Sequence, residues 1–438
     1  MLSVSKTDAI NFAGAKSISL NYYLLGLSLF FLPFTQALTI NIFFPLKIYE
    51  ILIFLLFLLN PKIFLSIPRN KIVFCLIVFV FFVFISFVIN IFKSYNYPLD
   101  LSDVRVSRDI DSLLKFLYLL LALSFFLLCY KYFVRNGFSL LKFFFAGATF
   151  SCIYSWYLFT SGLLHFPYLK LPGMDTYPQT IITDFGVFVR CSTFKEGNFM
   201  GLYLLIAGGL ALQFKKLKLS LFYFITTFTT FSTSAILCAF IFLLIVTIRK
   251  NINKPSRLIV SSATIIAFIV ILNSSSENFR TIIFNKLFAN EDAVSNSNEV
   301  FSRLDRLNAI WVGYNEFRDN PLFGVGTANY GLHFTHYNDF NIDIAGFKRI
   351  PNNVYVEQLS ESGLFVCICF LVYLFFLIKD SRSLRYVYLN TTLLVAIIYF
   401  ASYPSYSILF LWLFFAILIS YRKRVEEYEM EKLKLSQL

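Results

Sequence analysis

Charged side chains are scarce in this sequence. Asp, Glu, Lys and Arg make up 14% of its 438 residues, against about 25% in ordinary soluble domains. So little charge cannot cover a water-exposed surface, which excludes a soluble globular enzyme. The high apolar content also excludes a disordered chain, a collagen-like fibre and a repeat fibre.

Metal-binding and disulfide patterns are missing as well. The three histidines, His165, His333 and His336, form neither an HExxH nor an HxH motif. Most of the seven cysteines lie in apolar runs, where Cys behaves as a small hydrophobic residue, and Cys367 and Cys369 form a CxC without a second pair. We therefore predict no disulfide framework, no zinc site and no metal-dependent mechanism. His333 and His336 lie in a polar stretch and are expected to be ordinary exposed residues.

Apolar residues dominate instead. They account for 58% of the chain, and Phe alone contributes 56 residues. A helix needs about 20 apolar residues to cross a bilayer, and the apolar runs predict about 12 such spans. These are 20–38, 42–60, 72–92, 112–130, 138–160, 197–214, 217–231, 234–248, 257–273, 358–378, 386–401 and 405–420. The prediction is an all-α polytopic membrane protein with a single integral membrane domain over 1–438.

The distribution of basic residues gives the orientation. Every second loop carries Lys or Arg, whereas the short loops near 39–41, 231–234 and 402–404 carry none. Basic loops face the cytoplasm, so both termini should be cytoplasmic. Topology then explains the net charge of +13, and no nucleic-acid partner is expected. The first apolar run has no small-residue cleavage site behind it and should be retained as a span.

Two further features follow from this topology. The long apolar stretch 217–248 must turn near Phe231-Ser-Thr-Ser-Ala235, because a single span would break the alternation of basic loops. The largest outer loop, 274–357, contains Leu304, Leu307, Ile310, Trp311 and Phe317 at helical spacing. This spacing predicts an amphipathic helix that lies on the membrane or on the helical bundle.

Arginines on the outer side are the first candidates for chemistry, because a guanidinium binds phosphate through two hydrogen bonds. Arg190 directly precedes a span, and Arg303 and Arg306 lie one turn apart on one helix face. Simpler roles are open for each. Arg190 would suit a lipid headgroup anchor, and the pair would suit a solvated face with Asp305 or Glu299.

The candidate carboxylates also begin spans. Glu196 would complement the helix dipole of the span it precedes, and Glu361 would suit an ordinary residue at the water boundary. Asn198 follows Glu196 closely, and Asn352 and Asn353 precede the tenth span. Each of these signals is weak alone, but their order along the chain is more specific.

Four segments resemble bacterial O-antigen polymerases and ligases. Arg190-x-x-Thr-Phe-x-Glu-x-Asn198 is similar to the family's R-x-x-G-x-F-x-E-P-N pattern, with Thr193 for the Gly and Gly197 for the Pro. Phe231-Ser-Thr-Ser-Ala-Ile lies in a short-helix hairpin like theirs. The stretch from Arg303 through Trp311 to Pro321-Leu-Phe-Gly-Val-Gly326 resembles the R…W…P-L-x-G-x-G segment. Pro351-Asn-Asn353 through Glu361-Ser-Gly363 resembles H-N-x-x-L-x-x-x-x-E-x-G. The resemblance covers roughly 185–378.

The resemblance implies a Wzy-type polymerase in a Gram-negative inner membrane, with the fold of the multi-spanning (GT-C-like) glycosyltransferases and a periplasmic active site. Its donor and acceptor would both be oligosaccharides linked to undecaprenyl pyrophosphate, and it would need no metal or nucleotide cofactor. Other implied partners are membrane lipids and a polysaccharide chain-length regulator. The implied substrate-binding residues are Arg190, Arg303, Arg306, Asn198 and Asn353. The implied catalytic candidates are Glu196, Glu361 and Asn352.

One departure bears on the choice between the two activities. Asn352 stands where the ligases have a His that is their favoured catalytic residue, and Asn cannot act as a general base. The ligase alternative is weakened but open. A flippase or transporter is also open and would place charged residues inside spans, of which Lys47, Glu50 and Lys115 are the examples here. A structural membrane protein is the last alternative.

Overall fold

The structure is a computed structural model that describes most of the chain. The described residues are 20–41, 45–62, 67–68, 70–101, 107–174, 178–183, 186–254, 256, 260, 263, 267, 298–339, 349–379 and 384–436. The ninth predicted span, 257–273, lies almost entirely outside them, as does the first third of the large outer loop.

The described part of the chain is mainly helical. Its helices are α1 (Leu20–Phe31), α2 (Ile48–Leu59), α3 (Lys71–Ile91), α4 (Arg108–Asn136), α5 (Leu141–Leu164), α6 (Gly197–Gln213), α7 (Leu217–Thr226), α8 (Thr233–Asn251), α9 (Asn298–Asp319), α10 (Tyr330–Tyr337), α11 (Val354–Glu357), α12 (Gly363–Lys379), α13 (Val387–Tyr399) and α14 (Leu409–Ser436). A π-helical turn, Gln358–Ser362, joins α11 to α12, and 3₁₀ turns cover Thr227–Thr230, Leu384–Tyr386 and Phe400–Ser402. Two antiparallel hairpins pair β1 (Thr39–Asn41) with β2 (Pro45–Lys47) and β3 (Thr180–Thr183) with β4 (Gly186–Val189).

Four of these helical stretches are long and apolar enough to cross a membrane. They are α3, α4, α8 and the continuous stretch Val354–Lys379, whereas α1, α2, α6 and Val387–Ser402 are apolar but shorter. The all-α membrane class is confirmed, while the count of twelve spans and the GT-C-like fold stay predictions. The second span was placed too early, because the β1–β2 hairpin delays the start of α2 to Ile48.

The core lies where three pairs of helices pack together: α4 against α14, α3 against α12, and α6 against α13. Trp412 of α14 is buried there, with its ring edge-on to Phe126 of α4. Large apolar side chains such as Phe81 and Phe375 point outward from the same helices. An apolar outer surface is unfavourable in water and favourable in lipid, so the burial pattern agrees with the membrane class.

The predicted break in the stretch 217–248 is confirmed. Helix α7 ends in the 3₁₀ turn, and Phe231 then adopts a left-handed conformation with φ of 47°. The Ser232 hydroxyl oxygen accepts a hydrogen bond from the backbone N–H of Ala235 and so caps α8. Ser is among the best residues at this capping position, which explains why the turn forms at the Phe-Ser-Thr-Ser-Ala sequence.

Helix α9 is the predicted helix of the large outer loop, and it packs against α10 and the π-helical turn. Ala309 and Val312 are buried there beside Asn315 and Glu316, whereas Leu307 and Trp311 of the predicted apolar stripe are exposed. The helix therefore lies on the bundle, but through a different face from the predicted stripe. Its contact with the membrane stays a prediction.

Candidate active site

The first residue of the site is Arg190, which directly follows strand β4 and lies beside the break between α7 and α8. The Arg190 backbone N–H donates to the Gln179 carbonyl at 3.1 Å, and its Nε donates to the Thr230 carbonyl at 3.1 Å. The Gln179 side-chain oxygen accepts from the N–H of Gly197 at 3.0 Å. These bonds hold the end of the β3–β4 hairpin against the start of α6.

Glu196 is the residue immediately before α6, and it lies between cationic groups. Its side chain makes no hydrogen bond to the first turn of the helix. Burial raises the pKa of the Glu196 carboxyl above its ordinary value, while Lys195, Arg190 and Arg306 oppose that rise. Loss of water around the carboxylate therefore outweighs the attraction of its cationic neighbours.

Arg306 comes from α9 and completes the group. Arg190 and Arg306 both act on the charge of Glu196, so the structure brings three predicted site residues together from β4, α6 and α9. The predicted alternative partner of Arg306, Asp305, instead forms an ion pair with Arg349 at 2.7 Å. Arg306 has no hydrogen bond or ion pair with any side chain or backbone group in the described ranges. The other predicted partner, Glu299, has its side chain outside the described residues.

Arg303 lies one turn before Arg306 in α9. Its side chain is outside the described part of the structure, so its predicted role in binding substrate stays a prediction. The regular helix does place its Cα on the same side as that of Arg306, because residues three apart share a face.

Asn198 joins three helices at this point. Its side-chain oxygen accepts from the Ser232 hydroxyl at 2.7 Å, and its backbone carbonyl accepts from the Tyr399 hydroxyl at 3.0 Å. Tyr399 also lies within electrostatic range of Arg190 and Arg306. Tyr399 was missed by sequence reasoning, because an isolated Tyr at the end of an apolar span carries no motif signal.

Asn352 and Asn353 take different positions at the start of the tenth predicted span. The side-chain oxygen of Asn353 accepts from the backbone N–H groups of Tyr355 and Val356 and caps α11. Asn352 is left-handed, with φ of 52°, a conformation that Asn tolerates better than most residues. Asn353 thus has a clear structural role, and the predicted substrate contacts of both residues stay predictions.

Glu361 is not a boundary residue at the water surface. It is buried in the π-helical turn, where its Oε2 accepts from Lys115 Nζ at 2.5 Å and from the Ala328 backbone N–H at 2.9 Å. Lys115 also bonds Glu357 at 2.7 Å. One cation is thus shared by two carboxylates of a neighbouring helical stretch. These bonds hold the Glu361 carboxylate in a fixed position.

Lys115→Met should lower the free energy of unfolding by about 3–5 kcal/mol, because it leaves two buried carboxylates without their cation. The expected readout is a lower thermal midpoint of the purified protein in detergent. Arg318→Met is the matched control, since Arg318 and its partner Asp319 are exposed and such pairs contribute less than about 1 kcal/mol. Equal midpoints for Lys115→Met and the wild type would contradict the structural role of Lys115.

The two glycine motifs form one unit. The backbone N–H groups of Val325 and Gly326 donate to the carbonyls of Ser360 and Glu361, both at 2.8 Å. Those carbonyls are accessible because the π-helical turn breaks the regular ladder of the helix. A Cβ on Gly363 would come within 2.3 Å of the Leu322 carbonyl oxygen. The P-L-x-G-x-G and E-x-G segments thus interlock and fix Glu361 in place.

Glu316 is a further buried carboxyl that sequence reasoning missed. It lies on the inner face of α9, and neither carboxylate oxygen has a hydrogen-bond partner in the described part of the chain. Burial and the nearby charge of Glu361 raise the pKa of Glu316 well above its ordinary value. The nearby Ser360 hydroxyl opposes this rise in the pKa of Glu316, although it forms no hydrogen bond with the carboxylate.

The expectation for His333 was wrong, whereas His336 is exposed as expected. His333 is fully buried, and its Nδ1 lies 2.9 Å from the Tyr97 hydroxyl. Burial, together with Arg108 and Lys93, lowers the pKa of His333 to about 3. The imidazole is therefore neutral, and its contact with Tyr97 joins α10 to the segment between α3 and α4. The described contacts of the histidines do not reach Glu196 or Arg306.

Within the residues that the structure describes, no group of three or more His, Cys, Asp or Glu side chains is arranged to hold a metal ion. The polar groups that the structure does gather are guanidinium, carboxyl, hydroxyl and amide groups. These are suited to an anionic, hydroxyl-rich ligand.

One family comparison bears on this site. Residues 219–371 match the model of a family described as O-Antigen ligase. Helix α9, the interlocked glycine motifs and Glu361 all fall within this segment, so the resemblance seen in the motifs is confirmed there. Arg190 and Glu196 lie before it. No curated protein matches the chain at a significant level.

Proposed function

We propose that this protein is a polysaccharide polymerase of the O-antigen polymerase and ligase family. It joins repeat units carried on undecaprenyl pyrophosphate at the periplasmic face of a Gram-negative inner membrane. The observation that carries the proposal is the gathering of Arg190, Arg306 and Glu196 from three separate elements. Such a site offers cations to a pyrophosphate and a carboxylate to a sugar hydroxyl.

The chemistry assigns a role to each group. A hydroxyl oxygen of the acceptor sugar attacks the anomeric carbon of the donor, and the bond from that carbon to the pyrophosphate oxygen breaks. The pyrophosphate leaves with the bonding electrons, and Arg190 and Arg306 stabilise its developing charge. The proton of the acceptor hydroxyl passes to Glu196. Asn198 and Tyr399 join the starts of α6 and α8 to the end of α13 beside these groups.

Glu196 is a better general base than Glu361. The Oε2 of Glu361 is already occupied by hydrogen bonds from Lys115 and the Ala328 N–H, whereas the Glu196 side chain makes no hydrogen bond to the first turn of α6. The pKa of Glu196 is raised by burial. A base works best when its pKa is close to the working pH, and such bases typically contribute about 10²–10⁴-fold in rate.

The ligase is the second candidate, since the matched family model is described by that activity. A ligase of this family is expected to use a His at the position of Asn352. The described contacts of His165, His333 and His336 give no substitute near Glu196. These two observations favour the polymerase.

A flippase is less well supported. It would place unpaired charges inside spans to line a transport path. Lys47 instead pairs with Glu50 at 2.7 Å, and Lys115 pairs with Glu357 and Glu361. The charged residues that could line a transport path are therefore already in ion pairs.

The test is a glycan ladder on a gel, from host cells lacking the gene and from complemented cells. A polymerase predicts a single repeat unit on the lipid in the deletion and a full ladder after complementation. Full-length chains that stay on undecaprenyl and never reach the lipid A core would instead identify a ligase. Repeat units trapped on the cytoplasmic side would identify a flippase.

A further inference from the structure

A polar cavity lies far from the candidate active site. It has a volume of about 590 Å³ and is formed by the beginning of α3 and the later parts of α12 and α14. The opposite end of α3 contacts the candidate site, since Asn90 donates to the Phe323 carbonyl at 3.0 Å. Helix α3 has 21 residues, which span about 30 Å at 1.5 Å per residue. The cavity therefore lies at the other end of the helices.

The wall of this cavity is strongly cationic. Its charged lining residues are Lys71, Lys379, Arg422, Lys423 and Glu426. Four cations from three helices thus line the cavity together with one carboxylate, and Lys423 also lies 3.8 Å from Glu427 outside the lining. Arg422 is held firmly, because its Nη2 donates to the Leu377 carbonyl at 2.8 Å and to the Asn390 side-chain oxygen at 2.9 Å. This cluster is arranged to receive an anion.

An apolar cavity adjoins the cationic one. It has a volume of about 530 Å³ and shares Pro68, Asn70, Lys71 and Phe376 with the first, while Phe74 and Cys75 extend it along α3. The ring of Phe74 is largely exposed on the outer surface of the helix. A ligand that places its charge against Lys71 would therefore have apolar surface continuing beside it toward the lipid-facing side.

We infer that the two cavities together bind one anionic phospholipid. Its phosphate would lie among Lys71, Lys379, Arg422 and Lys423, and an acyl chain would follow the apolar cavity between α3 and α12. Basic pockets between membrane helices bind anionic headgroups in this way. A free phosphate would satisfy the cations but leave the apolar cavity unused. A zwitterionic lipid would bring its own cation into a site that already has four.

The test uses the purified full-length protein in detergent and measures bound lipid by native mass spectrometry. The probes are phosphatidylglycerol, phosphatidylcholine, inorganic phosphate and the soluble headgroup glycerol 3-phosphate. We expect phosphatidylglycerol to bind most tightly. In Lys379→Gln/Lys423→Gln its affinity should fall about 30-fold, because each cation close to a headgroup contributes about fivefold. Neither lysine belongs to the candidate active site.

The matched control is Lys432→Gln/Lys434→Gln. It removes the same number of charges, both from α14, but at exposed positions beyond the cavity, and should leave the affinity unchanged. Equal losses in both double variants would reduce the effect to general surface charge and overturn the inference. Equal binding of phosphatidylcholine would do the same. Tight binding of inorganic phosphate or glycerol 3-phosphate, with no preference for the lipid, would identify a site for soluble anions instead.

Discussion

Arg190→Ala and Arg306→Ala should each lower the rate of glycan extension about 10²–10³-fold, the usual effect of removing one donor that stabilises developing charge. Both side chains act on the same carboxylate, Glu196, so both are placed to meet one leaving group. Arg190→Lys and Arg306→Lys should be nearly as harmful, because an ammonium group loses the two-pronged geometry of the guanidinium. The measurement is incorporation of labelled repeat units into long chains by membranes that contain the protein.

The control for these variants is Arg318→Ala, which removes an exposed arginine from the same helix, α9. It should leave the rate unchanged. Because Arg190 also bonds the Thr230 carbonyl, each variant must first show the wild-type thermal midpoint. Normal chain length in both Arg190→Ala and Arg306→Ala would rule out the paired-arginine site. Arg303→Ala tests the third arginine separately, and a loss there would add it to the site.

The convergence of Arg190, Glu196 and Arg306 could be predicted from sequence only in part. The order of the motifs along the chain, and the alternation of basic loops, predict that all three lie on the outer side. A one-dimensional pattern does not show that α9 returns to the start of α6. The partner of Lys115 was unpredictable for the same reason, since Glu357 and Glu361 approach it only after α4 packs beside the π-helical turn.

The positions of the helices were easier to predict, because apolar runs of sufficient length have few other stable structures in a bilayer. The hairpin β1–β2 was missed, since strands of three residues are too short to show an alternating pattern. The face that α9 buries was also missed. Periodicity locates the apolar stripe at Leu307 and Trp311, but which face is buried depends on whether the neighbour is lipid or protein.

Glu196→Gln should lower the extension rate about 10²–10⁴-fold, the range typical of a general base, while the protein keeps its thermal midpoint. The amide has nearly the same shape but cannot accept the proton. Glutamate acts as a base only when ionised, and burial raises the pKa of Glu196. The wild-type rate should therefore rise with pH through a pKa above that of an ordinary glutamate. In Glu196→Gln the remaining rate should lack this rise.

Glu361→Gln provides the comparison that gives the Glu196 result its meaning. Glu361 pairs with Lys115 and accepts from the Ala328 N–H, so its loss should lower the thermal midpoint and leave the pH-dependent rise in place. If Glu196 only positioned the substrate, Glu196→Gln would be slower at every pH, and the dependence of the extension rate on pH would keep its shape. A profile in Glu196→Gln that still follows the wild type would therefore transfer the role of base to another group. Glu316, a further buried carboxyl whose pKa is raised, would be the first to examine.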